Sequence, residues 1–457
     1  MARAPDLILR GQRVVTPDGV RPAAIHVRDG VIVNVARYED VPPRMRVDEA
    51  GNAVVMPGLV DTHVHMNDPG RADWEGCVTA TRAAAAGGVT TLVDMPLNSI
   101  PATTTRDALL AKEEAAADRV AVDVAFWGGV VPGNTDELAA LHLAGVVGFK
   151  CFLCPSGVDE FPPVTEDDLR EAMPELARLG APLLVHAELP SRLAPAPSFP
   201  PEEARECRRY RHYLRTRPPE AEIEAVELLI RLSREYGTAV HIVHLSAAAA
   251  LPALAAARAE SLPVTVETCP HYLHFCAEEV KDGATTLKCA PPIRDAENRD
   301  RLWRALGDGD IDMVVSDHSP CPPGLKERHS GSFARAWGGI SSLQVGLSVV
   351  WTGARARGHS IEELARWMCA APAALAGLGG RKGAIAVGRD ADLVLWHPEQ
   401  PYRVEPTRLQ HRHAITPYGG AMLHGVVEAT YLRGMKVFEQ DDLFGPPAGL
   451  LLTRDAP

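Results

Sequence analysis

Apolar and polar positions alternate with a period of two over the first ~55 residues, the signature of half-buried β-strands. LILRGQRVV, a Pro-Asp-Gly turn, and AAIHVRDGVIVNVA with its own Asp-Gly turn carry the pattern. The far end repeats it. DADLVLWHP, closing at Pro398, and VVEATYLRGMKVFEQ from Val426 read as strands around a turn at Arg433-Gly434. Neither end has helices enough for a large core of its own, so residues 1–55 and 379–457 together predict one small β-sandwich.

The periodicity changes between these ends. Near-continuous apolar runs lie at 54–65, 89–96, 122–131, 146–153, 183–188, 239–245, 264–273 and 312–318. Helical patterns separate most of them, for example Asp107 to Asp118, Glu166 to Leu179, Glu220 to Tyr236 and Glu297 to Leu306. Alanine-rich patches at 82–87 and 247–259 read as helices rather than low complexity. Apolar strands alternating with helices indicate a parallel sheet covered on both faces. Eight such units over residues 56–378 favour an α/β fold of the (β/α)8 TIM-like barrel type over an open doubly wound sheet. The absence of a GxGxxG after the first strand weakens the dinucleotide-binding alternative.

Composition narrows the partners. The 457 residues carry 47 basic and 59 acidic side chains, a formal charge of -12, which leaves no footprint for nucleic acid or an anionic membrane. No run approaches the ~20 apolar residues of a membrane span, and the N-terminus meets charge too often for a signal-peptide core. The nine cysteines form no paired framework, which fits reduced thiols and a cytoplasmic location.

The run VVMPGLVDTHVH ends in His63 and His65, and strand alternation puts both on one side, together with Asp61. Such a pair is half of a metal site, a satisfied core pair or a solvated strand end, and the strand alone leaves these open. In a (β/α)8 barrel, however, chemistry collects at the C-terminal ends of the strands. Strand five ends in His186 and strand eight in Asp317. Strand six carries His241 and His244, whose odd spacing lets at most one point inward; His244 lies nearer the rim and is the expected ligand. Four strand ends delivering three kinds of histidine position and an aspartate to one rim predict a metal centre. Lys150 interrupts the apolar run GVVGFKCFL. It either snorkels to the rim or has a depressed pKa that lets carbon dioxide convert its amine to a carbamate, a bidentate group able to bridge two divalent ions.

Over essentially its whole length the chain resembles the cyclic amidohydrolases of the amidohydrolase superfamily, and among them the allantoinase branch. The resemblance is carried by PGLVDTHVHMNDPGR at 57–71, TRAAAAGGVTTLVDMPLN at 81–98, GVVGFKCFL at 145–153, ETCPHYL at 267–273, KCAPPIRD at 288–295, SDHSPCPP at 316–323 and AWGGISSLQ at 336–344. It implies that His63, His65 and Asp317 hold one ion, that His186 and His244 hold the second, and that carboxylated Lys150 bridges them. The implied cofactors are two divalent metal ions, zinc first, with manganese, cobalt or iron as alternatives. The implied reaction is attack of a hydroxide shared by both ions on the ring amide of allantoin, giving allantoate, with Asp317 moving the proton. Asn98, Cys289, Pro291 and Gly338 are the implied substrate contacts, and a homo-oligomer, a tetramer by analogy, is the implied assembly.

Several of these residues keep a second reading. Asn98 could be a turn former, His271 a brace, and Asp61 a cap or a support for the histidines. Cys151, Cys154, Cys269 and Cys321 read as packing thiols. Dihydroorotases place a carboxylate-binding arginine where Asn67 stands, and hydantoinases a tyrosine where Pro155 stands. Both departures rank allantoin first, a hydantoinase or dihydropyrimidinase substrate second and dihydroorotate third. A relative with the barrel but no catalysis is the non-enzyme alternative, and the complete set of six ligand positions argues against it. The 191–219 insertion could be a lid or an oligomer contact.

Overall fold

A computed structural model describes residues 4–200 and 205–454. Eight parallel strand positions form the expected barrel. The first is Leu59–Val64, followed by Val89–Asp94, Asp123–Phe126 with its continuation Gly128–Gly129, and Phe149–Phe152. The remaining four are Leu183–His186, Val240–Ile242, Val264–Thr268 and Met313–Val314. Parallel pairing runs from the first to the third position and from Gly128–Gly129 through to the eighth. Trp127 interrupts the third strand, and its indole Nε1–H donates to the carbonyl of Thr62 across the barrel at 2.8 Å. Closure comes from a bridge between Val64 and His318, with the His65 N–H donating to the His318 carbonyl at 2.9 Å.

Strand alternation sorts the side chains. Leu92, Val124, Phe149, Cys151, Leu183, Val185 and Ile242 join the large core under the helices. Val93, Ala125, Leu184 and Trp127 form a second cluster that fills the barrel. Lys150 and His186 share the parity of Leu184 on their strands, so they point inward for the same reason that leucine does. The helices match the sequence pattern closely. Glu166–Leu179 begins at Thr165, whose hydroxyl and the Asp168 carboxylate form a capping box, and it ends at left-handed Gly180.

The run expected as one strand over 54–65 is two. Val54–Pro57 pairs with Leu393–Arg403 and Leu7–Thr16 in the terminal sheet, whereas Leu59–Val64 belongs to the barrel. Gly58 is the crossing point: a Cβ there would lie 2.2 Å from Thr90 Oγ1, so only glycine lets the chain pass so close. The apolar run over 264–273 is likewise divided, into the strand Val264–Thr268 and the helix Pro270–His274, with proline in the first turn.

Both chain ends contribute to one nine-stranded sheet that folds over on itself. Its Val31–Ala36 edge meets the chain leading into Leu393–Arg403 through a bridge from Val31 to Asp390. Leu9, Ile25, Val55, Leu393 and Tyr431 pack inside. The expected boundary at 55/56 falls inside the strand Val54–Pro57, so we propose the first division at Gly58, where the chain changes sheet, and the second at 378/379. One segment departs from the expected sandwich. Residues 448–453 return to the barrel, where Val124 donates to Leu450 and Leu452 to Val124 at 2.9 and 2.7 Å.

Candidate active site

The C-terminal strand ends surround a cavity of about 370 Å³. His63, His65, His186, His244 and Asp317 all line it. One ligating atom each from His63, His65 and Asp317 lie within 4.8 Å of one another. His63 Nε2 is 3.2 Å and His65 Nε2 3.6 Å from Asp317 Oδ1. On the other wall, His186 Nδ1 is 3.0 Å from His244 Nε2. The His63 and His244 rings are 5.3 Å apart, which joins the two groups into one centre.

The donor chemistry suits divalent ions. Burial lowers the pKa values of His65 and His186, and burial with the neighbouring His186, Lys150 and His63 charges lowers that of His244 further, which favours neutral imidazoles. Burial alone would raise Asp317, but His63 and His65 more than offset it and hold the carboxyl below its ordinary range. Lys150 is fully buried without reaching the cavity surface, and its Nζ has no hydrogen-bond partner among the described residues. Burial pushes it down to about 8, so about a tenth of the amine is neutral at pH 7, far more than for an ordinary lysine. His244 Nδ1 is also buried and unpartnered among the described residues. An unpaired buried ammonium and clustered imidazoles are costly as they stand, and their donors fit a binuclear divalent centre with a modified lysine.

The backbone bends to present these groups. His244 and Asp317 have φ of 39° and 44°, left-handed values in non-glycine residues just beyond their strands. His244 therefore leaves the regular alternation that governs His241. The latter is buried behind, held by Thr265 Oγ1 at 2.8 Å and Glu267 Oε2 at 2.9 Å.

Glu267 is a functional residue that the sequence reading missed. Its Oε1 accepts His63 Nδ1–H at 2.5 Å, leaving Nε2 free to face Asp317, and also accepts the His244 N–H at 3.2 Å. The available signal was one acid inside the apolar run VTVETCPHYL. Glu188 was likewise passed over; its Oε2 accepts from His186 Nε2 at 2.7 Å. Phe152 stacks on His186 with ring centroids 4.6 Å apart. Asp61 supports rather than ligates: it accepts the backbone N–H groups of His63 and Ser316, each at 3.2 Å.

The expected substrate contacts fare unevenly. Asn98, Cys289 and Gly338 line the cavity. Asn98 has φ 67° and places Nδ2 3.4 Å from His65 Nδ1, so it orients a histidine as well as facing the cavity. A Cβ on Gly338 would meet only ordinary contacts, the nearest Cys289 Cα at 3.9 Å, whereas a Cβ on Gly339 would lie 2.1 Å from the Ser319 carbonyl oxygen. Pro291 is outside the cavity lining, and its carbonyl accepts the Tyr272 hydroxyl at 2.6 Å. Asn67 is buried outside the lining, with Nδ2 3.5 Å from the Pro320 carbonyl; Pro155 does line the cavity. His271 is buried outside the cavity lining, with a ring nitrogen within 4.8 Å of Asp317. Cys151 and Cys154 are pushed up to about 12 by burial, and Cys269 and Cys321 are raised by the same cause, as inert packing thiols require. From the 191–219 insertion, Ala194, Ala196, Tyr213, Thr216 and Arg217 line the cavity; residues 201–204 of it lie outside the described residues.

A closed (β/α)8 barrel with imidazole and carboxylate donors at its C-terminal rim defines a divalent-metal hydrolase. Residues 54–437 match the Amidohydrolase family, and the chain belongs to it. It is 52% identical to an allantoinase of Streptomyces avermitilis over 98% of this chain and 99% of that protein. The allantoinase of Arabidopsis thaliana is 45% identical, over 94% and 87% of the two chains. Among solved structures, the L-hydantoinase (dihydropyrimidinase) of Arthrobacter aurescens is 32% identical, with a TM-score of 0.91 over 98% of this chain and 100% of that one. No helix among the described residues is long and apolar enough to cross a membrane.

Proposed function

We propose that this chain opens the five-membered ring of allantoin by hydrolysing its cyclic amide, giving the ureido acid allantoate. The observation that carries the reading is the 52% identity to an allantoinase over nearly the full length of both chains. His63, His65 and Asp317 would hold one divalent ion, His186 and His244 the second, and Lys150, carboxylated on Nζ, both. Zinc is the first choice of metal, with manganese, cobalt or iron as alternatives. When bound, the ions supply Lewis acidity, polarising the scissile carbonyl and lowering the pKa of water to about 7.

The protein's part is positioning and proton transfer. Asp317 accepts a proton from the attacking water and delivers it to the ring nitrogen as the C–N bond breaks. Glu267 keeps His63 in the tautomer and orientation that leave its Nε2 free, and Asn98, its side-chain amide beside His65 Nδ1, holds the orientation of that ring while facing the cavity. The loop 336–339 closes one side of the ring site. Lys288 braces it by donating to the Ala336 carbonyl at 2.6 Å, and Lys326 by donating to the carbonyls of Trp337 and Gly339. Phe152 and Trp337 bring apolar surface into the cavity and exclude water.

Hydantoin or dihydropyrimidine opening is the second reading, favoured by the similarity to the L-hydantoinase structure. Dihydroorotate ranks below both: the residue at its carboxylate-binding position is uncharged Asn67, and Arg71 is engaged by Glu160 and the Asn98 carbonyl. The test is turnover of allantoin, hydantoin, dihydrouracil and dihydroorotate side by side, after loading with zinc, manganese or cobalt in bicarbonate. Allantoin is expected to have the highest kcat/KM. A preference for hydantoin would move the assignment to the second reading, and failure to bind any divalent ion would sink both. A cytoplasmic tetramer belongs to the same proposal; light scattering on the purified enzyme checks the assembly.

A further inference from the structure

Outside the donor set, one buried network connects the cavity wall to the second histidine pair. Glu188 is completely buried. Its Oε2 accepts from His186 Nε2 and also from the Arg217 guanidinium. Because a carboxylate only accepts, this bond puts the imidazole proton on Nε2 and leaves the Nδ1 lone pair facing His244. Arg217 follows the short helix Tyr210–Thr216, whose Tyr213 and Thr216 line the cavity with it. The Thr216 carbonyl accepts from Ala194 N–H at 3.0 Å, so both described parts of the insertion form one wall.

Arg217 has a second connection. Its carbonyl accepts from Arg294 Nη1 at 3.3 Å, and Arg294 Nη2 and Nε donate to Glu222 Oε1 at 2.5 and 3.2 Å. The other oxygen of Glu222 accepts the N–H groups of Ser246 and Ala247 at 2.9 Å each, immediately after His244. The same wall residue thus reaches His186 through Glu188 and the His244 loop through Arg294 and Glu222. His63, His65 and Asp317 are held differently, by Glu267, by Asn98 and by the Asp61 contact to Ser316.

We propose that Arg217 is a positioning residue that couples the cavity wall to the His186–His244 half of the centre. In its absence the second divalent ion is held weakly while the first is not. The inference rests on the binuclear hydrolase reading and adds a division of labour to it: the insertion acts as a wall that assembles one half-site.

The test is stepwise zinc binding to metal-free protein in bicarbonate buffer, by calorimetry or chelator competition, with kcat and KM for allantoin measured in parallel. Arg217→Met is expected to weaken the second zinc roughly 10- to 100-fold, with the first unchanged. Arg217→Lys should recover part of the loss by restoring a cation. Glu188→Gln should reproduce the selective loss, and Arg217→Met/Glu188→Gln should lose little more than either single change, because both lie in one relay. If Arg217→Met does not fold, Glu188→Gln carries the comparison. Unchanged affinity for the second zinc, or equal weakening of both, overturns the coupling. Failure of the unaltered protein to bind two ions overturns the binuclear reading instead.

Discussion

Lys150 and Lys382 are both fully buried, at opposite faces of the same barrel, and their surroundings could hardly differ more. Lys382 Nζ lies 2.6 Å from Asp123, 2.9 Å from Asp390 and 2.7 Å from Asp392. Arg433 grips Asp123 as well, and the Leu450 N–H donates to Asp123 at 2.8 Å. This cluster ties the start of the third barrel strand to the terminal sheet and to the returning 448–453 segment. Its three carboxylates gather as they would around a cation, and the lysine is that cation. Burial lowers the pKa of both, but the carboxylates more than reverse this at Lys382, whereas Lys150 has no such partner and its pKa falls. Paired charge at the N-terminal face reads as structure, and unpaired amine at the C-terminal face reads as chemistry.

Substituting each lysine by methionine should separate the two roles. The largest effect is expected for Lys150→Met in the metal-loaded enzyme: a loss of roughly a thousandfold or more in kcat, because the shared ligand of both ions is gone. Partial rescue of Lys150→Ala by a short carboxylic acid would support the carbamate, whereas wild-type turnover would refute it. Lys382→Met should instead destabilise the fold by about 3–5 kcal/mol, since three buried carboxylates are left with two arginines, Arg433 on Asp123 and Arg381 on Asp390. Thermal or denaturant unfolding measures this, and an unchanged midpoint would show that the cluster is not structural.

The pH dependence of stability should have opposite sign at the two lysines. For metal-free protein without bicarbonate, Lys150 titrates near 8 when folded and near 10.5 when unfolded. Between those values the unfolded chain binds the extra proton, so this group's contribution to stability rises with pH. Lys150→Met should therefore exceed the metal-free parent by about 3 kcal/mol at pH 7, the difference fading by pH ~10. Lys382, whose pKa is raised, contributes stability below pH ~10 that is lost at higher pH. Denaturant titrations at pH 7, 8.5 and 10 check the pair, and a pH-independent gain in Lys150→Met would contradict the depressed amine. The smallest effect concerns Asn98→Ala, for which one lost hydrogen bond predicts about a tenfold fall in kcat/KM.

Much of this contrast was legible along the chain. Alternating apolar runs and helical patterns predicted the barrel, and strand-end position picked out His63, His65, His186, His244 and Asp317, all of which line the cavity. Lys150 stood out as a cation in an apolar strand. The split at Gly58 was hidden because both strands are fully buried and only one residue separates them, so pattern alone cannot show a change of sheet. Cys289 lines the cavity and Pro291, two residues on, does not, because the sequence does not say which side of a loop faces a cavity. Glu188 and Glu267 were overlooked because their partners lie 2 to 204 positions away in number and matter only through contact.

The sequence by itself determined the eight-fold alternation, the shared parity of His63 and His65, and the kinds of atom available at the rim. These follow from local periodicity and side-chain chemistry. Only the tertiary structure decided how His244 reaches the cavity, from beyond the regular strand at a left-handed φ and so free of the alternation that governs His241. It also decided which buried lysine is neutralised by carboxylates and which is left to react. Desolvation and charge pairing are sums over neighbours brought together from distant parts of the chain, and no local pattern contains them.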